Sequence, residues 1–168
     1  MLGRDMDRLL SMVKASLEAI RNPRFYKTER GYQGAFLAEL SRRLPTLSWE
    51  GAIIEQEYQK RIPYHGLNIR PDIIIHVPFE EGRLNSRREG NFVVFELKLN
   101  TTMEEAMSDY NNLSCMCEML DYPLAIFINI GSGSTFLKEF QGAHKERIHA
   151  FSVFLDGAKV RVRDDYVT

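Results

Sequence analysis

The chain has 168 residues, a formal net charge of −1 at pH 7 and 44% hydrophobic residues. This length favours one domain that can bury a sheet between helices. The small net charge excludes binding of nucleic acid by bulk positive charge, so such a ligand would have to meet a local basic surface. No apolar run approaches the roughly 20 residues of a membrane-spanning helix, and the charged start at 1–21 lacks the apolar region of a signal peptide. We therefore expect a cytoplasmic protein without a membrane partner.

Two helices are predicted before any strand. Apolar residues recur at helical spacing through 6–20, which predicts a first helix that ends near Asn22-Pro23. A second helix is predicted over 28–44, with Thr28 as a suitable N-cap and Pro45 as the residue that stops it.

The hydrophobic pattern then changes to that of strands. Strands are predicted at 53–62 and 68–77, with a turn at 64–67 between them. The polar stretch 78–91 indicates a surface loop that joins two strands in a hairpin. The apolar run 92–99 that follows is typical of a central strand covered on both faces.

The second half of the chain continues with alternating elements. A third helix is predicted after Thr101 or Thr102, either of which can cap it, and its pattern continues to Leu120. A buried strand at 123–130 and a short helix at 135–141 follow. Strands at 150–155 and 159–162 are joined around Asp156-Gly157, a strong hairpin signal. The order of elements predicts an α/β fold, with a mixed sheet flanked by helices.

Ionisable residues occur where the predicted hairpin strands meet. Asp72 stands early in the strand 68–77, and Glu96 and Lys98 close the strand 92–99. Because side chains alternate faces along a strand, Glu96 and Lys98 share one face. An unpaired buried charge is costly, so such groups usually pair, coordinate a metal or face a cleft. Since the two strands should be neighbours, we expect these charged ends to converge.

The converging groups suit a divalent cation. The carboxylates of Asp72 and Glu96 are the hard oxygen ligands that Mg²⁺ and Mn²⁺ prefer, and the backbone carbonyl of Leu97 is a natural further ligand. Lys98 could orient or deprotonate a water molecule, or neutralise charge on a phosphorane-like transition state. A metal supplies water activation and charge stabilisation, as phosphodiester cleavage requires. These residues indicate a metal-assisted hydrolase.

A further acid is expected from the second helix, where two candidates compete. At about 100° per residue, Glu29 and Gln33 fall on the stripe that also holds Phe36 and Leu40 and should face the sheet. Glu39 lies roughly 80° from this stripe. We favour Glu29 as a catalytic and metal-binding acid, with Gln33 as its supporting residue, and keep Glu39 as the alternative.

Two short motifs resemble the signature of a known superfamily. Pro71-Asp72 and Glu96-Leu97-Lys98 are similar to the motif of the PD-(D/E)xK nucleases, which have the restriction-endonuclease-like fold. Within that superfamily, the chain from about Glu29 to Ser132 resembles the bacterial GxxExxY group. The segments that carry this second resemblance are Glu29-Arg30-Gly31-Tyr32, Phe36-Leu37-Ala38-Glu39-Leu40 and Ile126-Phe127-Ile128-Asn129-Ile130-Gly131.

The resemblance implies both an architecture and an activity. It covers the catalytic core (28–132) of the single predicted domain, and the predicted elements add an N-terminal helix (1–22) and a C-terminal helix with a β-hairpin (133–168). The core sheet would be antiparallel and then parallel, with a helix after the Glu-x-Lys strand. The implied activity is Mg²⁺-dependent phosphodiester hydrolysis, with Mn²⁺ as the alternative ion and DNA preferred to RNA as the substrate. The resemblance also implies a homodimer, since small enzymes of this fold often pair to cut two strands.

Arginines near the motifs are candidates for nucleic-acid binding. Arg83, Arg87 and Arg88 lie in the polar loop, and Arg70 directly precedes Pro71-Asp72. Together they could bind phosphate groups, although a charged loop is also explained by contact with water alone.

Two other functions stay open on the sequence. One is a catalytically inactive module that retains the nuclease fold and binds nucleic acid or protein. The other is a homo-oligomeric scaffold whose third helix supplies a methionine-rich interface, made by Met103, Met107, Met116 and Met119.

Overall fold

The computed structural model describes residues 2–47, 49–56, 69–79, 84 and 88–167. Within these residues the chain is an α/β protein with three α-helices and a six-stranded mixed sheet that is not closed into a barrel. In chain order the elements are α1 (Leu2–Ala19), α2 (Glu29–Arg43), β1 (Ile53–Gln56), β2 (Ile73–His76), β3 (Asn91–Leu99), α3 (Met103–Leu120), β4 (Leu124–Ile130), β5 (Ile148–Asp156) and β6 (Lys159–Tyr166).

The strands lie side by side in the order of the sequence, from β1 to β6. The pairs β1–β2 and β2–β3 are antiparallel, β3–β4 and β4–β5 are parallel, and β5–β6 is an antiparallel hairpin. Parallel neighbours require a crossover connection, and α3 provides it between β3 and β4. Every residue of β4 is buried, as expected for a strand covered on both faces.

Helices cover the two faces of the sheet with separate hydrophobic cores. On one face, α1 and α2 pack on the sheet, and the rings of Phe36 and Phe95 lie 5.9 Å apart. On the other face, α3 packs on the sheet, and the rings of Tyr110 and Phe127 lie 4.8 Å apart. Val94 of β3 belongs to this second core, so the alternation of side chains places Glu96 and Lys98 on the α3 face.

The predicted helix starts are confirmed at their caps. The side chain of Thr28 accepts a hydrogen bond from the backbone N–H of Gly31 at 3.1 Å, which caps α2. At α3, Thr102 and Glu105 form a capping box in which each side chain accepts from the other residue's backbone N–H. These bonds satisfy N–H groups that have no partner within the helix.

Of the two strands before β3, β2 is shorter than predicted, whereas the remainder of the predicted first strand, 57–62, lies outside the described residues. β1 covers Ile53–Gln56 of the predicted 53–62, and β2 covers Ile73–His76 of the predicted 68–77. The predicted turn at 64–67 lies outside the described residues.

The prediction of a short helix at 135–141 is wrong. The C-terminal part of the chain contains the predicted β-hairpin but not this helix. The segment forms isolated turns, because Phe136 takes a left-handed backbone conformation with φ of 59°, which interrupts a right-handed helix. Leu137 and Phe140 are buried in the core on the α3 face. Tertiary packing of these two side chains therefore decides the course of the backbone here.

The methionines of α3 do not share one surface. Met116 is 1% exposed and belongs to the hydrophobic core, whereas Met103 and Met119 are 53% and 36% exposed near opposite ends of the helix.

In the part of the chain that the structure describes, no helix is long and apolar enough to cross a bilayer.

A buried asparagine joins the loops that follow β3 and β4. The Asn129 side chain is fully buried, and its Oδ1 accepts from the backbone N–H of Thr101 at 3.2 Å. Its Nδ2 donates to the backbone oxygen of Ser134 at 2.8 Å. Asn129 therefore fixes the loop from which α3 starts.

We expect Asn129→Ala to lower the free energy of unfolding by about 3 kcal/mol, because the buried N–H of Thr101 and the backbone oxygen of Ser134 both lose their hydrogen-bond partner. Urea denaturation followed by circular dichroism measures this change. Asn111→Ala, on the exposed side of α3, is the matched control and should change stability by no more than about 0.5 kcal/mol. Equal stability of the two variants would contradict this role of Asn129.

Candidate active site

The pairing of β2 with β3 brings Asp72 to the Glu96-Leu97-Lys98 segment, and the predicted pairing of these strands is confirmed. Ile73 is opposite Phe95 in the antiparallel ladder. Asp72, just before β2, accepts a hydrogen bond at Oδ2 from the backbone N–H of Leu97, at 2.7 Å. This bond holds the Asp72 carboxylate next to Leu97, and therefore close to Glu96, the preceding residue.

Glu96 and Lys98 form an ion pair on the α3 face of β3. Lys98 Nζ lies 2.8 Å from Glu96 Oε1, and the two side chains are 31% and 12% exposed, respectively. Both groups have thus lost much of their contact with water, and each charge partly compensates the other.

The site raises the pKa of Glu96 to about 7. Burial is the main cause, and the negative charge of Asp72 is the second, whereas Lys98 opposes both. A carboxylate under such repulsion is electrostatically suited to a bound cation, which would replace its lost solvation.

The environment keeps Lys98 protonated. Burial by itself would lower the Lys98 pKa, but the hydrogen bond and charge of Glu96, with Asp109 and Glu29 further away, raise the pKa above its ordinary value. A protonated ammonium has no lone pair for taking a proton from water. Of the roles predicted for Lys98, charge stabilisation and orientation therefore suit this arrangement, and deprotonation of water does not.

The start of α2 reaches the same end of the sheet. Oε2 of Glu29 accepts a hydrogen bond from the backbone N–H of Leu99 at 3.2 Å. Gln33 was expected to support Glu29, but its Nε2 donates to the backbone oxygen of Asp72, at 3.2 Å. Glu29 thus holds the end of β3, and Gln33 holds the residue that precedes β2.

The alternative acid, Glu39, is engaged elsewhere. It forms ion pairs with Arg42 and with Arg43, the second at 2.7 Å, on its own helix. The hydrogen bond from Arg43 is the main reason why the Glu39 pKa lies below its ordinary value. Ten residues of helix, about 15 Å, separate Glu39 from Glu29. Glu29 is therefore the acid that α2 brings to this site.

A cleft of about 280 Å³ opens beside Lys98, between α2, the end of β3 and α3. Its acidic residues come from both helices. The lining comprises Glu29, Lys98, Leu99, Thr101, Glu105, Ser108 and Asp109.

Asp109 is a residue of this cleft that the sequence analysis did not place in the site. It is 7% exposed, and its Oδ2 has no hydrogen-bond partner among the described residues. Burial raises the Asp109 pKa to about 6, and Lys98 opposes this shift. Helical spacing could have indicated that Asp109 faces inward. It lies three residues after Ala106 and four before Leu113, which are both core residues on one face of α3.

The predicted nucleic-acid-binding arginines are only partly within the described residues. Arg70 and Arg88 are exposed, as a contact with phosphate groups would require. Arg83 and Arg87 lie outside the described residues.

The donor atoms fit a divalent cation that keeps some of its water. Asp72, Glu96 and the Leu97 carbonyl are oxygen donors, and Mg²⁺ commonly binds through one or two carboxylates and several water molecules. Within the described residues, no three His, Cys, Asp or Glu side chains are grouped to hold a metal ion. Glu29 is thus not grouped with Asp72 and Glu96 in this arrangement, and its carboxylate binds the Leu99 backbone.

Comparison of the chain with protein-family models, curated proteins and solved structures finds no match. The protein is of the α/β class, with a six-stranded mixed sheet and partly buried charged residues at the end of β3. A functional interpretation therefore rests on the geometry and electrostatics of this site.

The influence of Asp72 on Glu96 can be measured directly. We expect Asp72→Asn to lower the Glu96 pKa from about 7 towards its ordinary value, because the substitution removes the neighbouring negative charge. Asparagine keeps an oxygen that can accept from the N–H of Leu97. NMR titration of the Glu96 side-chain carboxyl carbon measures the pKa. A pKa that stays near 7 in this variant would show that the charge of Asp72 does not contribute to the shift.

The raised pKa of Glu96 also makes the free energy of unfolding depend on pH. Because the Glu96 pKa rises from 4.5 to about 7 on folding, the folded protein binds the proton more tightly than the unfolded chain. This group's contribution to the free energy of unfolding therefore falls as the pH rises from 4.5 to about 7. Urea denaturation across this range should show a smaller fall in Asp72→Asn than in the unmodified protein.

Proposed function

We propose that this protein is a metal-dependent nuclease of the PD-(D/E)xK type, with a restriction-endonuclease-like fold, that hydrolyses phosphodiester bonds in DNA. The supporting observation is that Asp72, Glu96 and Lys98, which are separated along the chain, meet where β2 begins and β3 ends. Two repelling carboxylates with one ammonium are the charges that a metal-assisted attack on a phosphodiester requires.

Each residue has a distinct role in this proposal. Asp72 and Glu96, with the Leu97 carbonyl, hold Mg²⁺ or Mn²⁺, which supplies an activated water and charge stabilisation when bound. Lys98 remains protonated and stabilises the negative charge that develops on the phosphate oxygens. Glu29 acts through the Leu99 N–H, by fixing the end of β3 on which Glu96 and Lys98 are carried.

The acidic cleft explains why a cation would be needed for substrate binding. Glu29, Glu105 and Asp109 line it together with Lys98, so carboxylates outnumber the ammonium. A phosphodiester is anionic and would be repelled by these groups. A bound divalent cation and Arg70, which directly precedes Pro71-Asp72, would offset this repulsion, whereas Arg88 lies before the start of β3, at the opposite end of that strand from Lys98. Nucleic-acid binding should therefore depend strongly on the metal and on salt.

A non-catalytic binding module with this fold is the second candidate, and one observation favours it. The Glu96 carboxylate is already paired with Lys98, and the described residues hold no group of three metal-binding side chains. A module of this kind would bind nucleic acid in a salt-dependent manner without binding Mg²⁺ or Mn²⁺. Metal titration therefore separates the two candidates.

We expect the unmodified protein to cleave DNA only with Mg²⁺ or Mn²⁺, and Asp72→Asn, Glu96→Gln and Lys98→Met each to lower the rate by at least about 100-fold. The assay uses linear, supercoiled, single-stranded and branched DNA, and RNA, analysed on denaturing gels. Circular dichroism checks that each variant is folded. The matched control is Lys138→Met, since the Lys138 side chain is 82% exposed.

The controls decide between the candidates. The Lys138 variant should cleave at the rate of the unmodified protein. Cleavage that survives in all three site variants would come from a contaminant or another site, and would refute the assignment. Absence of both cleavage and metal binding, with salt-dependent nucleic-acid binding retained, would establish the binding module.

A further inference from the structure

Lys98 is paired with one acid, Glu96, and lines the same cleft as a second, buried acid, Asp109. Lys98 Nζ bonds Glu96 at 2.8 Å, while the Asp109 Oδ2 atom is buried without a hydrogen-bond partner among the described residues. Asp109 is 7% exposed and lines the same cleft as Lys98. Buried polar atoms in folded proteins almost always have a partner, so an unpartnered carboxylate oxygen calls for an explanation.

The proposed metal site creates a conflict at Glu96, and this inference rests on that proposal. The Glu96 carboxylate would have to bind the cation, yet it is the hydrogen-bond partner of Lys98. We propose that Lys98 exchanges partners when the cation binds: its ammonium leaves Glu96 and pairs with Asp109. Asp109 is then a positioning residue, which keeps the ammonium of Lys98 in the cleft.

The other acids of the cleft are less suitable as the second partner. Glu29 accepts from the Leu99 N–H through Oε2. Glu105 accepts from the backbone N–H of Thr102 at 2.8 Å and from the Thr102 hydroxyl at 3.0 Å, within the capping box. Pairing with Lys98 at either residue would compete with bonds that hold a strand end or a helix start.

The electrostatics of Asp109 agree with an exchange. Burial holds the pKa of Asp109 at about 6, while the charge of Lys98 lowers it, so a closer ammonium would favour the ionised form. The acids near this group, namely Asp72 and Glu29 from other elements and Glu105 from α3 itself, act in the opposite direction. Within the described residues, Lys98 is the positively charged group that lowers the Asp109 pKa most.

Metal affinity tests the exchange without relying on catalysis. Mn²⁺ binding to the full chain is measured by calorimetry, first for the unmodified protein and then for Asp109→Asn. We expect the variant to bind Mn²⁺ about tenfold more weakly, because Lys98 has no second partner and stays on Glu96. Glu105→Gln is the matched control, since it removes a charge from the same cleft while glutamine can keep the capping box. We expect it to change affinity less than twofold, since Glu105 is not the second partner.

A double-mutant cycle separates an action through Lys98 from a general effect of charge. In a Lys98→Met background no ammonium competes for Glu96, so adding Asp109→Asn should change Mn²⁺ affinity less than about twofold. An equal loss of affinity in both backgrounds would overturn the exchange, because Asp109 would then act only through its charge.

NMR gives a spectroscopic readout of the partner of Lys98. In protein labelled with ¹⁵N-lysine and ¹³C, the scalar coupling across the ammonium–carboxylate bond should connect Lys98 Nζ to Glu96 without metal. With saturating Mg²⁺ it should connect Lys98 Nζ to Asp109 instead. A coupling that stays with Glu96 in metal-saturated protein would overturn the exchange and leave the nuclease assignment intact. An unmodified protein that binds no Mn²⁺ would overturn both.

Discussion

The site depends on the antiparallel pairing of β2 with β3, which removes two carboxylates and an ammonium from much of their contact with water. The Asp72 carboxylate is fixed by the Leu97 N–H, and Glu96 and Lys98 emerge on either side of that residue. Burial and the Asp72 charge raise the Glu96 pKa, and Glu96 in turn raises the Lys98 pKa. The properties of the site are therefore consequences of one strand pairing.

Both helical layers reach this strand pair from opposite faces of the sheet. From one face, α2 supplies Glu29 and Gln33, which bond the backbone of Leu99 and Asp72. From the other face, α3 supplies Asp109, which lies in the cleft beside Lys98. A sheet otherwise separates its two faces, so only the end of a strand allows both layers to act on one group of charges. This explains why the acids gather at the end of β3.

Much of the fold was predictable because it follows from local rules. The caps at Thr28 and Thr102 and the apolar run of β3 depend on neighbouring residues, and each forms as predicted. The helix predicted at 135–141 fails, because burial of Leu137 and Phe140 outweighs local helical preference. The partner of Gln33 was also unpredictable, since helical spacing gives the direction of a side chain but not what it meets.

The sequence by itself determined that charged residues stand at the ends of two strands that pair, and it favoured Glu29 over Glu39 as the acid that faces them. Only the tertiary structure decided which charges neutralise one another. It paired Lys98 with Glu96, paired Glu39 with arginines of its own helix and left a buried oxygen of Asp109 without a partner among the residues that the structure describes. The physical reason is that periodicity assigns a residue to a face, whereas its charge state depends on distances of a few ångströms between elements distant in sequence.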